Sequence, residues 1–156
     1  MLSKTCCKLL LLSGALASSL LAQAPNLNVA PVPMVKTAKG SVAVVTVNAS
    51  LPPGYHANSN KPTESYLIPL TLKWTAGPLE VESIDYPKGT LEKYSFSDKP
   101  LSVVTGEFTI TTKFRVKQGA SSGPAQETGT LRYQACDNHA CYPPKNVPVN
   151  VTVQIQ

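Results

Sequence analysis

Two of the four cysteines in this 156-residue sequence, Cys136 and Cys141, stand five positions apart with Asp137 and His139 between them. A thiolate is both a nucleophile and a metal ligand, so this spacing admits three chemistries: a structural hairpin disulfide, a reversible dithiol/disulfide, or part of a metal site. As a staple the bond is weak, because closing a six-residue loop stabilises a fold by only ~2 kcal/mol in the chain-entropy model. As a redox pair it is sensible, since a reversible dithiol has to open and close without unfolding its scaffold. The neighbours pull both ways. His139 and Lys145 would stabilise a thiolate, and Asp137 would oppose one. A metal site would have to recruit His139 and His56 beside the cysteines. A closed zinc site needs four well-placed ligands, and a cupredoxin-like site needs another Cys, His and Met spacing. His56 therefore reads as a loop or packing residue, and no metal is expected.

The compartment follows from the first residues. Lys4 and Lys8 form a positive start, and residues 9–22 (LLLLSGALASSLLA) are apolar or small throughout, too short and too Ser-broken to span a membrane. Residues 1–22 read as a secretory leader cut after Ala22, or as late as Ala24. Cys6 and Cys7 precede the apolar stretch, where a lipid-modified cysteine would follow it, so they leave with the leader. The two remaining cysteines then work in an oxidising compartment, where a pair close enough to meet is usually bonded.

About 134 residues remain, enough for one domain with a real core. Of the 14 Lys and Arg, two leave with the leader, so 12 face 9 acids and the mature net charge is +3. Lys61, Lys73, Lys88, Lys99, Lys113 and Lys145 are scattered without a basic stripe or interleaved aromatics, which argues against nucleic acid as a partner. No later segment has membrane-spanning length, so the mature chain is expected to be soluble or peripherally associated.

The elements that position the pair are strands. Val42 to Val47, Leu70 to Trp74, Leu79 to Tyr86, Val103 to Val116, Thr128 to Cys136 and Val147 to Ile155 carry apolar residues with a period near two. Pro52-Pro53-Gly54, Gly77-Pro78, Pro87-Lys88-Gly89, Gly119 to Pro124 and Pro143-Pro144 punctuate them as turns. No window shows a helical stripe, and the 14 prolines suit loops and edges better than helices. The fold class expected is all-β: an immunoglobulin-like antiparallel β-sandwich over residues 41–156, preceded by a Pro-rich lead-in, 25–40, that forms a tether or edge segment. An antibody-type disulfide across the core is excluded, because the one mature pair is local. Trp74 alternates with aliphatics and reads as core. Two polar stretches, 52–65 and 88–100, are long for plain connections and carry Tyr55, His56, Tyr94 and Phe96. Loops bearing aromatics often cover something.

The runs Tyr133-Gln134-Ala135-Cys136 and Cys141-Tyr142-Pro143-Pro144 resemble the active-site region of the N-terminal periplasmic domain of the thiol:disulfide interchange protein DsbD. Gly54-Tyr55-His56, Ser59-Asn60-Lys61-Pro62 and Tyr86-Pro87-Lys88-Gly89 extend the likeness over nearly the whole mature chain. The resemblance implies a periplasmic thiol-disulfide oxidoreductase that needs no cofactor. Its partners would be thioredoxin-like proteins as electron donor or acceptor, and oxidised periplasmic client proteins. Cys141 would form the mixed disulfide and Cys136 would resolve it, with Tyr133, Asp137, His139, Tyr142 and Pro143 around them. A cap loop at 91–100 would shield the pair with Phe96, or else Tyr94. Well-known members of that family place one more residue between the cysteines. The full-length protein also carries a membrane domain and a terminal thioredoxin domain, neither of which is present here, so the donor is expected to be a separate polypeptide. The rival expectation is a non-catalytic exported sandwich, a binding or assembly module whose hairpin bond is structural.

Overall fold

The structure is a computed structural model that describes residues 25–156; the leader expected at 1–22 lies outside the described residues. Twelve strands and no helix are found there. The first sheet joins β1 (Asn28–Val29), β3 (Val42–Ser50), β9 (Glu107–Arg115) and β6 (Glu80–Asp85) in the order β1-β3-β9-β6. The second joins β2 (Val35–Thr37), β12 (Lys145–Ile155), β10 (Gly123–Tyr133) and β5 (Thr71–Trp74) in the order β2-β12-β10-β5. All pairings are antiparallel except β2 with β12, so the lead-in contributes an edge strand to each main sheet.

These two sheets form the sandwich, and their period-two sequences explain why. On β3, Ala43, Val45, Val47 and Ala49 are buried while Val42, Val44, Thr46 and Asn48 face out. Phe108, Ile110 and Phe114 of β9 meet them from the same sheet, and Leu131 of β10, Leu72 of β5 and Val149, Val151 and Val153 of β12 close the core from the other. Trp74 packs at its margin, edge-on to Phe114 at 5.0 Å, with its indole N–H donating to Thr112 Oγ1.

A third sheet sits at one end and carries the cysteines: β11 (Ala135–Cys136), β4 (His56–Asn58), β8 (Leu101–Thr105) and β7 (Thr90–Glu92), in that order. The sequence pattern conceals this sheet in four places. The run Val103 to Val116, expected as one strand, breaks at Gly106, whose φ of 58° turns the chain from the third sheet into the first. The run Thr128 to Cys136 breaks at Gln134, and the two stretches expected as loops each contain a short strand, β4 and β7.

Candidate functional site

Register divides the third sheet into two faces. Ala135 pairs with Ala57, which pairs with Val104, and all three belong to the sandwich core. Cys136 pairs with His56, which pairs with Thr105, so these side chains point to the opposite face. Val103 and Leu101 share that outer face and form a small apolar cluster with Leu67 and Tyr94. The site is thus the outer face of an end sheet whose inner face is the core.

Cys136 and Cys141 are disulfide-bonded across the hairpin. Their environments differ: Cys136 is fully buried, at 0% exposure, and Cys141 is partly exposed. The backbone N–H of Tyr142 donates to Ala135 O at 2.8 Å and that of Asp137 to Ala140 O at 2.9 Å, closing the loop. Asp137 organises its tip. Its Oδ1 accepts from the N–H groups of His139 and Ala140, at 2.7 and 2.9 Å, and its Oδ2 accepts from the Tyr142 hydroxyl at 2.8 Å. Those donors hold its carboxyl down at about 2, and the same carboxylate pushes the Tyr142 phenol up to about 12. The negative charge that the sequence sets beside Cys136 is therefore engaged in the turn. His139 enters this arrangement through its backbone N–H, and its side chain lies on an exposed residue. Pro143 is exposed, and Tyr142 lies tilted beside Tyr55 at 6.2 Å.

The root of the hairpin is fixed by Gln134 and Tyr133. Gln134 sits between β10 and β11, where its Oε1 accepts from Asn58 Nδ2 and Ile68 N and its Nε2 donates to Tyr142 O, so one side chain ties both arms to β4 and the segment after it. Tyr133 is buried at 1%; its hydroxyl accepts from Leu27 N and donates to Pro25 O, securing the N-terminal segment beneath the site.

Over the outer face runs the loop 91–100. Tyr94 is its buried ring, lying flat on His56 with centroids 4.0 Å apart, while its hydroxyl donates to Glu92 Oε2 at 2.6 Å. Burial and that carboxylate push the Tyr94 phenol upward. Phe96 stacks on Tyr94 at 5.6 Å and is 36% exposed. The Ser95 hydroxyl donates to Asn138 O at 2.9 Å, joining this loop to the cysteine hairpin. The loop is held at its own base by Lys93, which donates to the carbonyls of Ser97 and Asp98, and by the Lys99–Glu64 ion pair at 2.9 Å. Of the two readings, loop or packing residue, His56 takes the second: it is a buried strand residue packed beneath Tyr94. Among the described residues no three His, Cys, Asp or Glu side chains gather as metal ligands would.

A sandwich with a hairpin disulfide at its end, joining a buried cysteine to a partly exposed one, is a thiol-disulfide interchange domain in architecture. The family model of the N-terminal domain of the thiol:disulfide interchange protein DsbD matches residues 24–152, and the chain belongs to that family. Among solved structures it is similar to the DsbD N-terminal domain of Neisseria meningitidis in the reduced form, with 20% identity over 70% of this chain and 77% of that one and a TM-score of 0.47. The N-terminal periplasmic domain of ScsB from Proteus mirabilis is similar at 12% identity, over 81% of this chain and 45% of that one, with a TM-score of 0.55, and shares the fold. Comparison with curated proteins gave no match. No helix among the described residues is long and apolar enough to cross a membrane.

Proposed function

We propose that the protein is a periplasmic thiol-disulfide exchange protein, a disulfide reductase or electron relay, acting through Cys136 and Cys141 on protein partners. The supporting observation is the unequal exposure of one bonded pair, with Cys136 sealed and Cys141 reachable. In charging, a thiolate of a thioredoxin-like donor attacks Cys141 Sγ and Cys136 leaves as a thiolate that takes up a proton. The donor's second thiolate then attacks the donor sulfur of the mixed disulfide and releases Cys141. In discharging, Cys141 attacks a client disulfide, and Cys136 closes on Cys141 and expels the client thiolate. Two electrons move in each cycle within sulfur–sulfur bonds, so the exchange calls for no cofactor. The loop 91–100 screens the pair from small thiols between encounters.

The test has two parts. Cys136→Ala should leave Cys141 able to trap a thioredoxin-like partner as a mixed disulfide, and trapping solely in Cys141→Ala would reverse the roles. Titration against glutathione should place the pair among the exchange proteins; a potential below about −300 mV, with no transfer to a thioredoxin-like donor, would turn the reading to a structural bond in a binding module.

A further inference from the structure

Closing Cys136 onto a mixed disulfide demands that a fully buried thiol lose its proton, and burial in an apolar setting makes thiolates costly. Asp137 offers no help, since both of its oxygens accept hydrogen bonds in the hairpin turn. The group across the strand pair is His56, the direct register partner of Cys136 and on the same outer face. His56 is 2% exposed, and its Nε2 has no hydrogen-bond partner among the described residues. An imidazole nitrogen buried without a partner is costly, and it persists where the surroundings hold it for another purpose.

We propose that His56 is the proton acceptor for Cys136: its Nε2 takes the thiol proton as the Cys136 sulfur attacks the Cys141 sulfur, and it returns a proton to the Cys136 thiolate when the bond is opened from the other side. The inference rests on the exchange function proposed above. In the closing step the S–H bond of Cys136 breaks, its electron pair forms the bond to Cys141 Sγ, and the Cys141–client bond breaks with the client leaving as a thiolate. The proton on His56 then passes to the departing thiolate or to water.

The surroundings suit a base that works at neutral pH. Tyr94 covers one face of the ring, and β8 presents uncharged Thr105 on the other side of β4. The charged groups facing His56 are Glu92 of β7 and Asp137 of the hairpin. Burial lowers the imidazole from its ordinary value and so favours the neutral ring that can accept a proton, while these two carboxylates act against that and give its protonated form negative charge nearby. A cleft of about 250 Å³, lined in part by Tyr55, His56, Glu92, Tyr94 and Asn138, gives the proton a way out.

The experiment mixes fully reduced protein with 5,5′-dithiobis(2-nitrobenzoate) in stopped flow. The first coloured thiolate reports attack by the exposed cysteine, and the second reports closure by its partner. The wild-type closure rate should be nearly independent of pH above the His56 titration, because proton donor and acceptor are both in place. In His56→Gln and His56→Phe, the second keeping a ring beneath Tyr94, closure should slow about tenfold or more at pH 7 and rise about tenfold per pH unit, while the first phase is unchanged. Closure in both variants at the wild-type rate and pH profile would overturn the role of His56. Absence of a second thiolate from the wild type would instead overturn the exchange reading itself. Should both variants fail to fold, ¹⁵N NMR of the wild type decides: the His56 titration should move down on reduction as Nε2 accepts from the Cys136 thiol, and identical titrations in the disulfide and dithiol forms would overturn the proposal.

Discussion

Tyr94 lies on His56 with ring planes 16° apart, and Phe96 lies on the far side of Tyr94 at the same angle, so a stack of three rings runs from strand β4 out to solvent. The two rings of the loop differ in what they hold. Tyr94 is 8% exposed and belongs to the cluster of Leu67, Leu101 and Val103, whereas Phe96 touches the stack from outside. Tyr94→Ala is expected to cost about 3 kcal/mol, the lower end for a buried aromatic ring because the cluster is small. Phe96→Ala is expected to change stability by less than about 0.5 kcal/mol while speeding reduction by dithiothreitol severalfold. Denaturation midpoints and reduction rates of both variants check the division. A large drop in midpoint for Phe96→Ala with an unchanged reduction rate would assign that ring to packing alone.

The bond from Ser95 Oγ to Asn138 O spans the loop and the hairpin directly. It is exposed, so its net worth is that of an ordinary hydrogen bond, about 1 kcal/mol, or roughly fivefold in the population of the opened loop. Ser95→Ala should therefore raise the reduction rate of the disulfide by about that factor and leave the global midpoint nearly unchanged. Equal rates in wild type and variant would show that the loop does not gate the sulfurs.

How far the sequence reveals this arrangement depends on the range of the interactions. Alternation predicts β3 and β12 because one face of each is core and the other solvent. It misses β4, where His56, Ala57 and Asn58 are all buried between the core on one side and the loop on the other, so no alternation exists to be read. It merges β8 with β9 because both keep a period of two on either side of Gly106, and a change of sheet leaves that period untouched. The cysteine pair is legible since its partners are five residues apart. The pairing of Cys136 with His56 joins residues eighty positions apart, and the Gln134 contacts with Asn58 and Ile68 are of the same kind. Such neighbours are set by strand register, which single-residue chemistry does not announce.

Glu127 provides a test far from the site. It occupies a core-facing position on β10 between Ala125 and Gly129, 1% exposed, with Oε1 accepting from Leu79 N at 2.8 Å and Oε2 without a hydrogen-bond partner among the described residues. Gly77 packs against this carboxyl so tightly that a Cβ there would stand 2.1 Å from Oε2. Burial raises the carboxyl above its ordinary value, with the Leu79 bond pulling weakly the other way. A carboxyl raised in the folded state binds its proton more tightly folded than unfolded. Its contribution is complete below the unfolded value and is lost as pH climbs through the folded one. Glu127→Gln, which stays neutral, should match the wild type near pH 4 and exceed it in denaturation midpoint at pH 8. A midpoint difference that stays constant from pH 4 to 8 would show that Glu127 does not change ionisation on folding.

Asp137 should show the opposite sign. Three donors converge on its carboxylate, from His139 N, Ala140 N and Tyr142 Oη, and hold its folded value at about 2, below the ordinary carboxylate range. A group lowered on folding stabilises the native state above its unfolded value and loses that contribution as pH falls through the folded one, here between about pH 4 and pH 2. The side chain lies at an accessible turn, so the effect on the whole domain should be modest and concentrated in the hairpin. Asp137→Asn keeps one oxygen acceptor but loses the charge, and Asp137→Ala loses both. At pH 7 both variants should loosen the tip, seen as faster hydrogen exchange at His139 and Ala140, with Ala the larger effect. Under the exchange function proposed above, Cys141 meets partners from this turn, so the exchange rate of the disulfide with a thioredoxin-like donor should change in the same order. As pH is lowered toward 2, wild type and Asp137→Asn should converge in denaturation midpoint, since the native carboxylate is then taking up its proton. A midpoint gap that persists unchanged down to pH 2 would show that the turn is held by the shape of the side chain, with its charge contributing nothing.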